Sequence, residues 1–236
     1  MRLVLVLALA SSLPSATVYA QTEPVAGQQK HFELIDPATV QPAQMLPAPA
    51  PRGSVAEATE LAVLRQLIAS TTPERLAQAK WDDAHEDPSI FDDVTGRKLE
   101  AMPATWALLN TVQNDADLTG NLAKAYFARI RPWGIDPTLP NCDAGKGKKA
   151  VGSYPSGHSI VGYSVGWALA QLIPDKAPAI LARAQDYARS RLICGVHFAS
   201  DTEASHVIGT VVVARLFADP RLAARIAAAR AEIDRR

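Results

Sequence analysis

Helical periodicity, rather than strand alternation, runs through most of this 236-residue chain. The clearest case begins with a capping box at residues 54–57, after which Leu61, Leu64, Leu67 and Ile68 recur three or four residues apart. No alternating strand pattern of useful length and no internal repeat is present in the sequence. The sequence therefore predicts an all-α fold, a single-domain helical bundle. We expect one helix to open at Ser54, a second at Thr72-Pro73, and others over residues 101–117, 120–131, 157–172, about 175–191, 200–217 and 220–234.

The first 20 residues have the pattern of an export signal. Arg2 supplies a basic start, residues 3–9 are an apolar run too short to span a bilayer, and Val18 and Ala20 are small residues at the cleavage positions. We expect cleavage after about Ala20 and a periplasmic product, with an uncleaved anchor as the alternative. No later run approaches the roughly 18 apolar residues of a spanning helix, so we expect no membrane association after cleavage.

Residues 21–52 are rich in proline, which fixes φ and removes backbone donors. The sequence predicts an extended arm here and leaves open whether it is a loose tail or a strap across the domain. Residues 53–236 then form the helical domain. The full chain has 24 basic and 24 acidic side chains, so no charge excess indicates a nucleic-acid partner.

The chain has two cysteines, Cys142 and Cys194. Export permits a disulfide, and a lone pair of cysteines in an exported chain usually bonds. We therefore expect these two residues to be joined, with two free buried thiols as the alternative.

Lys124 and Arg131 lie seven residues apart, which is almost two helical turns. On one continuous helix both cations would leave from the same face. The alternative is that both are ordinary solvated surface charges.

Ser156 and Gly157 stand where a loop enters a helix. The free N–H groups and partial positive charge of a helix N-terminus bind phosphate, and glycine lets the backbone approach closely. His158 would then lie in the first turn, beside the anion. An ordinary serine-capped helix start is the alternative.

His197 and Asp201 are four residues apart. A carboxylate that accepts from one ring nitrogen fixes the tautomer and leaves the other nitrogen as a base or nucleophile. The two can meet on one helical face or around a helix N-terminus, and Arg191 can converge on them across a tight turn. The alternatives are a satisfied core histidine and a helix cap. We expect His206 to be structural, His31 to be unimportant, and the His85-Glu86-Asp87 run to be solvated charge rather than a metal site.

Together these stretches form a recognisable set: K-x6-RP at 124–132, PSGH at 155–158 and SR-x5-H-x3-D at 190–201. All eleven specified positions match the signature of the phosphatidic-acid-phosphatase-type superfamily, which also contains the vanadium haloperoxidases. Within it the chain resembles the bacterial class A non-specific acid phosphatases, over about residues 45–235. The markers are Gly152 to His158, Ser190 to His197, Met45-Leu46-Pro47 and the signal peptide. Ser159 replaces the usual Thr, and Val196 and Phe198 stand where Tyr and Trp are common, so the resemblance leaves the rim of the pocket and the substrate preference open.

The resemblance implies a helical bundle of the acid phosphatase and vanadium haloperoxidase type. It also implies hydrolysis of phosphate monoesters through a phosphohistidine, with His197 as nucleophile, Asp201 as its orienting group and His158 as general acid. No metal or other cofactor would be needed. Five residues would bind the phosphoryl oxygens: Lys124, Arg131, Ser156, Gly157 and Arg191. The expected partners are small phosphomonoesters and inorganic phosphate, and we expect a homo-oligomer with phosphotransferase activity as a side reaction.

Two other functions compete with this interpretation. A vanadium-dependent haloperoxidase would hold vanadate in the same place, and assaying bromide oxidation separates it from a phosphatase. A non-catalytic exported protein that binds phosphate would keep its affinity without His197. A membrane lipid phosphatase is disfavoured, because no spanning helices are expected.

Overall fold

A computed structural model describes residues 30–142 and 150–235. The predicted signal peptide, the first part of the proline-rich arm and the basic residues 146–149 lie outside the described residues. The α-helices are α1 Pro42–Met45, α2 Val55–Ala69, α3 Pro73–Ala84, α4 Asp92–Thr95, α5 Pro103–Phe127, α6 Pro132–Ile135, α7 Gly157–Leu172, α8 Ala177–Ile193, α9 Ala199–Ala218 and α10 Ala223–Asp234. Short 3₁₀ turns occupy Pro37–Thr39, Pro88–Phe91, Leu99–Ala101, Pro174–Lys176 and Pro220–Leu222. The predicted all-α fold is confirmed, and the described ranges contain one isolated β-bridge, between Ile130 and Val151, and no strand.

The first two long helices begin where the local sequence predicts. The Ser54 hydroxyl accepts from the backbone N–H of Glu57 at 3.2 Å, and the Thr72 hydroxyl accepts from that of Arg75 at 3.3 Å, with Pro73 in the first helical position. These caps satisfy N–H groups that have no partner inside the helix. Local chemistry therefore fixes both starting points.

One long helix, α5, replaces the two predicted helices at 101–117 and 120–131. Gly120 lies inside this helix and in close contact with α7: a Cβ atom there would lie 2.2 Å from Cδ1 of Ile160. The helix ends at Phe127, where Ala128 adopts a left-handed φ of 46°. Arg131 therefore lies beyond the helix, and the prediction that Lys124 and Arg131 share one helical face is wrong.

Three other boundaries differ from the prediction. The sequence predicts a loop with a short turn over residues 81–98, but residues 81–84 complete α3 and two short helical turns fill 88–95. It also predicts Asp175 as the cap of the next helix, but Asp175 lies in a 3₁₀ turn and α8 begins at Ala177. Helix α9 begins at Ala199 and not around Ser200, because the Asp201 carboxylate accepts from the backbone N–H of Phe198 at 2.8 Å.

Helix α7 occupies the centre of the bundle. Most of its side chains are buried, and it packs against α5, α8 and α9. Apolar residues on all sides of a helix suit an element enclosed by its neighbours. Because Gly157 and His158 form its first turn, the central helix carries these residues into the interior at one end of the bundle.

Residues 30–52 form a strap across the bundle, which resolves the alternative that the sequence left open for this part of the arm. The Asp115 carboxylate on α5 accepts three successive backbone N–H groups, from Glu33 at 2.8 Å, Leu34 at 2.9 Å and Ile35 at 2.8 Å. Further along the strap, Val40 and Leu46 are buried with Ile35 in the main core. The strap is thus held by both polar and apolar contacts.

Cys142 and Cys194 form a disulfide, as predicted. The bond joins the segment after α6 to the residue that follows α8. Beside it, Gly195 has a φ of +68°, and a Cβ atom there would lie 2.2 Å from the carbonyl oxygen of Pro140. The disulfide and this close approach fix the turn that leads to His197. Across the described ranges, no helix combines the length and apolar character needed to cross a bilayer.

Candidate active site

The predicted motifs meet at a polar pocket of about 350 Å³. It lies where α7 begins, where α8 ends and where the last turns of α5 pass. The pocket is lined by Lys30, Glu86, Gln113, Asp117, Asn121, Lys124, Arg131, Gly157, His158, Ile160, Arg191 and His197. Six of the eight predicted catalytic and phosphate-binding residues are therefore in its wall, and Ser156 and Asp201 lie buried behind it.

The proton on the His197 ring can be assigned from its neighbours. Nδ1 lies 2.8 Å from the carbonyl oxygen of Ser153, which can only accept. Nε2 lies 2.9 Å from Nη1 of Arg131, which can only donate. The ring therefore carries its proton on Nδ1 and an unshared electron pair on Nε2, toward the pocket.

The electrostatics of the pocket favour the same neutral form. His197 is only 2% exposed. Burial lowers the pKa of this imidazole well below its usual range, and the positive charges of Arg131 and Lys124 lower it further. A neutral imidazole with a free nitrogen among fixed cations can act as a nucleophile toward an anion held by those cations.

The Asp201 carboxylate organises the backbone behind His197. One oxygen accepts from Nη1 of Arg129 at 2.7 Å, and the other accepts from the Ser153 hydroxyl at 2.5 Å as well as from the N-cap of α9. The distance from Asp201 Oδ2 to His197 Nδ1 is 3.4 Å. Asp201 therefore lies close to the imidazole, while the nearer acceptor for its proton is the Ser153 carbonyl.

His158 has the opposite environment. Its Nδ1 lies 3.0 Å from a carboxylate oxygen of Glu86, and its Nε2 lies 3.2 Å from the carbonyl oxygen of Asp83. Both neighbours accept hydrogen bonds, so both are satisfied only when the ring carries two protons. The Tyr187 ring stacks on the imidazole at 6.1 Å between centroids. The geometry therefore favours an imidazolium at His158, beside a neutral imidazole at His197.

Three cations surround the space between the two histidines. The Lys124 ammonium donates to the carbonyl oxygens of Pro155 and Gly152, and burial together with the charge of Arg131 lowers its pKa to about 8. Arg191 is buried and pairs with Asp83, but its Nε–H has no hydrogen-bond partner among the described residues. A buried donor without a partner is uncommon, and here it belongs to a side chain that lines the pocket, as expected where an anion binds.

Ser156 and Gly157 have different parts at the start of α7: Ser156 is structural, whereas Gly157 faces the pocket. Ser156 caps α7: its hydroxyl accepts from the N–H of Ser159 at 3.3 Å and from the Ser159 hydroxyl at 3.0 Å. Gly157 lines the pocket, where its lack of a side chain leaves room above the helix N-terminus. Contact between the Ser156 hydroxyl and phosphate stays a prediction.

Sequence reasoning missed several polar residues around the pocket. The sequence predicts Glu86 as part of a solvated charge run; its side chain is 47% exposed, but it also contacts His158 and lines the pocket, which that prediction misses. The same run contains no group of side chains in the described structure that could hold a metal ion. No local sequence signal marks the others, because their partners lie far along the chain. They are Asp83 on α3, Arg129 and Ser153 in loops, and the Lys30–Asp117 ion pair at 3.4 Å.

Val196 and Phe198 do not form the pocket rim. Val196 is fully buried beside the disulfide. Phe198 is fully buried against α2, with the Arg129 guanidinium 4.0 Å from its ring centroid. The departures from the related sequences at these positions therefore change the packing behind the site.

The chain is similar to phosphatases in sequence. A family model described as the PAP2 superfamily matches residues 104–224. An acid phosphatase of Zymomonas mobilis is 39% identical over 117 residues, which cover 48% of this chain and 43% of that protein. A non-specific acid phosphatase of Providencia stuartii is 28% identical over 98% of both chains. Another, from Salmonella typhimurium, is 32% identical over 66% of this chain and 67% of its own length.

A solved structure is similar in fold. A transmembrane PAP2-type phosphatidylglycerolphosphate phosphatase of Bacillus subtilis aligns with a TM-score of 0.52 and 18% identity, over 70% of this chain and 85% of that one. At this identity the likeness concerns the helical architecture alone.

Proposed function

We propose that this chain, which belongs to the PAP2 superfamily and is similar to non-specific acid phosphatases, hydrolyses phosphate monoesters through a phosphohistidine on His197. His158 is the general acid in this proposal. The observation that carries it is the opposite surroundings of two histidines that line one pocket: a donor faces Nε2 of His197, whereas acceptors face both ring nitrogens of His158. A nucleophile and an acid must differ in protonation at the same pH, and their surroundings must keep them so.

The cations bind the phosphoryl group of the substrate. Lys124, Arg131 and Arg191 surround three of its oxygens, and the N–H groups at the start of α7 donate from below. Arg131 then exchanges its hydrogen bond with His197 Nε2 for one with a phosphoryl oxygen. Fixed donors aimed at these oxygens stabilise the charge that develops during phosphoryl transfer.

The reaction then proceeds in two halves. In the first, the electron pair on His197 Nε2 bonds to phosphorus, the bond from phosphorus to the ester oxygen breaks, and His158 gives that oxygen its proton. In the second, a water molecule gives a proton to His158 and attacks phosphorus, which releases inorganic phosphate and restores His197. Asp201 and the Ser153 carbonyl hold the proton of Nδ1, so that Nε2 remains the reacting nitrogen. An alcohol in place of water would give phosphotransferase activity by the same step.

The location and assembly of the protein are further parts of the proposal. We place a signal peptide at residues 1–20, the arm at 21–52 and the catalytic domain at 53–236, with the mature protein in the periplasm as a homo-oligomer. The disulfide supports this location, because an oxidising compartment maintains such bonds. We propose that no metal is required, because side-chain cations supply the positive charge that phosphoryl transfer needs.

Trapping the covalent intermediate tests the role of His197. Rapid quench with phosphorus-labelled substrate should give an acid-labile, alkali-stable adduct on residue 197, and His197→Ala should abolish it with every substrate. His158→Ala should reduce hydrolysis of an alkyl phosphate far more than that of nitrophenyl phosphate, whose leaving group departs without a proton. His206→Ala is the matched control, because that ring stacks on Tyr163 away from the pocket and is 40% exposed. An adduct on His158, or one that survives His197→Ala, would show that the roles are wrongly assigned.

A further inference from the structure

A carboxylate lies beside the proposed general acid. Glu86 contacts His158 Nδ1 at 3.0 Å, and its Oε1 is 3.5 Å from the point that a Cβ of Gly157 would occupy. It therefore lies over the first turn of α7, at the edge of the space assigned to the phosphoryl group. Its side chain is 47% exposed, which places it between the buried cations and the mouth of the pocket.

The segment that carries Glu86 is held in place by its neighbours. The Gln113 amide donates to the Glu86 carbonyl oxygen at 2.9 Å. The Tyr187 hydroxyl donates to the carbonyl oxygen of His85, and Arg191 pairs with Asp83. These contacts come from α5 and α8, so the position of the carboxylate is set by the bundle and not by the segment alone.

Glu86 carries a negative charge in this position. Burial acts to raise the pKa of its carboxyl, but the hydrogen bond from His158 and the charges of His158, Arg191 and Lys124 outweigh that effect, and the pKa is lowered. A second carboxyl group, Asp117, lines the same pocket, but burial raises its pKa to about 6 and it pairs with Lys30 at 3.4 Å. The outer part of the pocket therefore presents the negative charge of Glu86, whereas its floor is cationic.

The leaving group of a substrate must pass close to Glu86. The Nε2 of His158 faces the backbone carbonyl of Asp83 at 3.2 Å, and Asp83 does not line the pocket, whereas Nδ1 faces Glu86, which does. In this inference Nδ1 is therefore the nitrogen that gives its proton to a departing oxygen. Because Nδ1 is also the partner of Glu86, that oxygen and the first atoms attached to it approach the carboxylate directly.

On the basis of the proposed function, we infer that Glu86 determines specificity by the charge of the leaving group. Monoesters of neutral or cationic alcohols, such as polyols and amino alcohols, fit beside its carboxylate. Monoesters whose alcohol carries a second anionic group are repelled by it. Because the cations on the floor bind the phosphoryl group common to all of these esters, selection by leaving-group charge falls to the outer carboxylate.

Three alkyl phosphates of similar size separate this role from a general effect on catalysis. The substrates are phosphoethanolamine, glycerol phosphate and 3-phosphoglycerate, with cationic, neutral and anionic leaving groups, assayed at pH 6. For the Glu86→Gln variant, kcat/KM for the anionic ester relative to the neutral one should rise about tenfold, and that for the cationic ester relative to the neutral one should fall by a similar factor. Glu203→Gln, which removes the same charge from an exposed position on α9, should leave both ratios as in the wild type.

The ratios distinguish the possible outcomes. If Glu86 only holds His158 in place, the variant will slow all three alkyl esters together with unchanged ratios, and the inference is overturned. Glu86→Ala provides a second charge-free variant should the first not fold, and it should shift the ratios in the same direction. If the wild type hydrolyses none of the esters, the proposed function fails and this inference fails with it. Activity on all three without discrimination overturns the inference alone.

Discussion

Replacing Asp115 by alanine should detach the N-terminal strap from the bundle. The carboxylate of this fully buried residue accepts three backbone N–H groups of the strap at 2.8 to 2.9 Å. It also accepts from the Asn114 amide at 3.0 Å. Alanine removes the acceptor of these hydrogen bonds and introduces no clash. The lost stability is therefore that of the contact between strap and bundle.

The size of the effect follows from the bonds that are lost. A hydrogen bond to a charged group contributes about 1.5 to 3 kcal/mol, so three of them give an upper bound of about 9 kcal/mol. The strap can move away and expose its N–H groups to water, which limits the loss to the free energy of docking the strap. Burial of Ile35, Val40 and Leu46 is lost in that case. We therefore expect the free energy of unfolding to fall by about 3 to 5 kcal/mol.

Denaturant unfolding and limited proteolysis measure the two parts of this prediction. Unfolding in urea gives the change in free energy, and trypsin digestion of the native protein should cleave at Lys30 and Arg52 much faster in Asp115→Ala than in the wild type. Asp175→Ala is the control, since it removes an exposed carboxylate from a 3₁₀ turn. A change below about 0.5 kcal/mol, the range of neutral surface substitutions, with unaltered protease resistance would refute the assignment of Asp115 as the anchor.

Three further predictions address the disulfide, the helix contact and the pH profile. Replacing both Cys142 and Cys194 by serine should lower the free energy of unfolding by about 4 kcal/mol, the chain-entropy value for a separation of 52 residues. The intact wild type should weigh about two daltons less than its reduced form, and two freely alkylated thiols would contradict the disulfide. Gly120→Ala should lower the melting temperature, because the fully buried Ile160 side chain must move at a cost of up to about 3 kcal/mol, against a helix-propensity gain of about 1 kcal/mol. An increased melting temperature would show that the Ile160 side chain moves aside easily. The pKa of Lys124 is lowered to about 8, and only its charged form attracts phosphate, so kcat/KM should fall as pH rises through about 8. Lys124→Arg should move that decline to higher pH; the same decline in both proteins would exclude Lys124 as its source.

Sequence predicted best those features that depend on adjacent residues. The start of α7 at Gly157 follows from Ser156, whose hydroxyl caps the helix within three residues. Ser54 and Thr72 set the starts of α2 and α3 in the same way. Each of these signals combines a short polar side chain with the N–H groups directly after it, so no knowledge of the rest of the fold is required.

Features that depend on distant contacts could not be predicted in this way. The packing role of Gly120 becomes visible only when Ile160 on another helix is seen to occupy the space of its missing side chain. No sequence signal near Ala128 predicts its left-handed conformation, which ends α5. The sequence therefore predicts Arg131 on the helix, although it lies beyond the helix end. Glu86 was assigned to solvent because its partner, His158, lies 72 residues further along the chain. Contacts of this kind leave no periodic trace in the sequence.

The connections around Asp201 have a consequence for how the molecule acquires its activity. This carboxylate joins Arg129, 72 residues away, and Ser153, 48 residues away. Arg191 is likewise joined to Asp83 across 108 residues. Closing such long loops is entropically slow compared with forming helices, whose bonds are local. During refolding, helical circular dichroism should therefore recover before catalysis does, and a collapsed chain with most of its helices will still lack an aligned His197. The recovery of catalytic activity during refolding therefore reports the formation of the last long-range contacts in this chain.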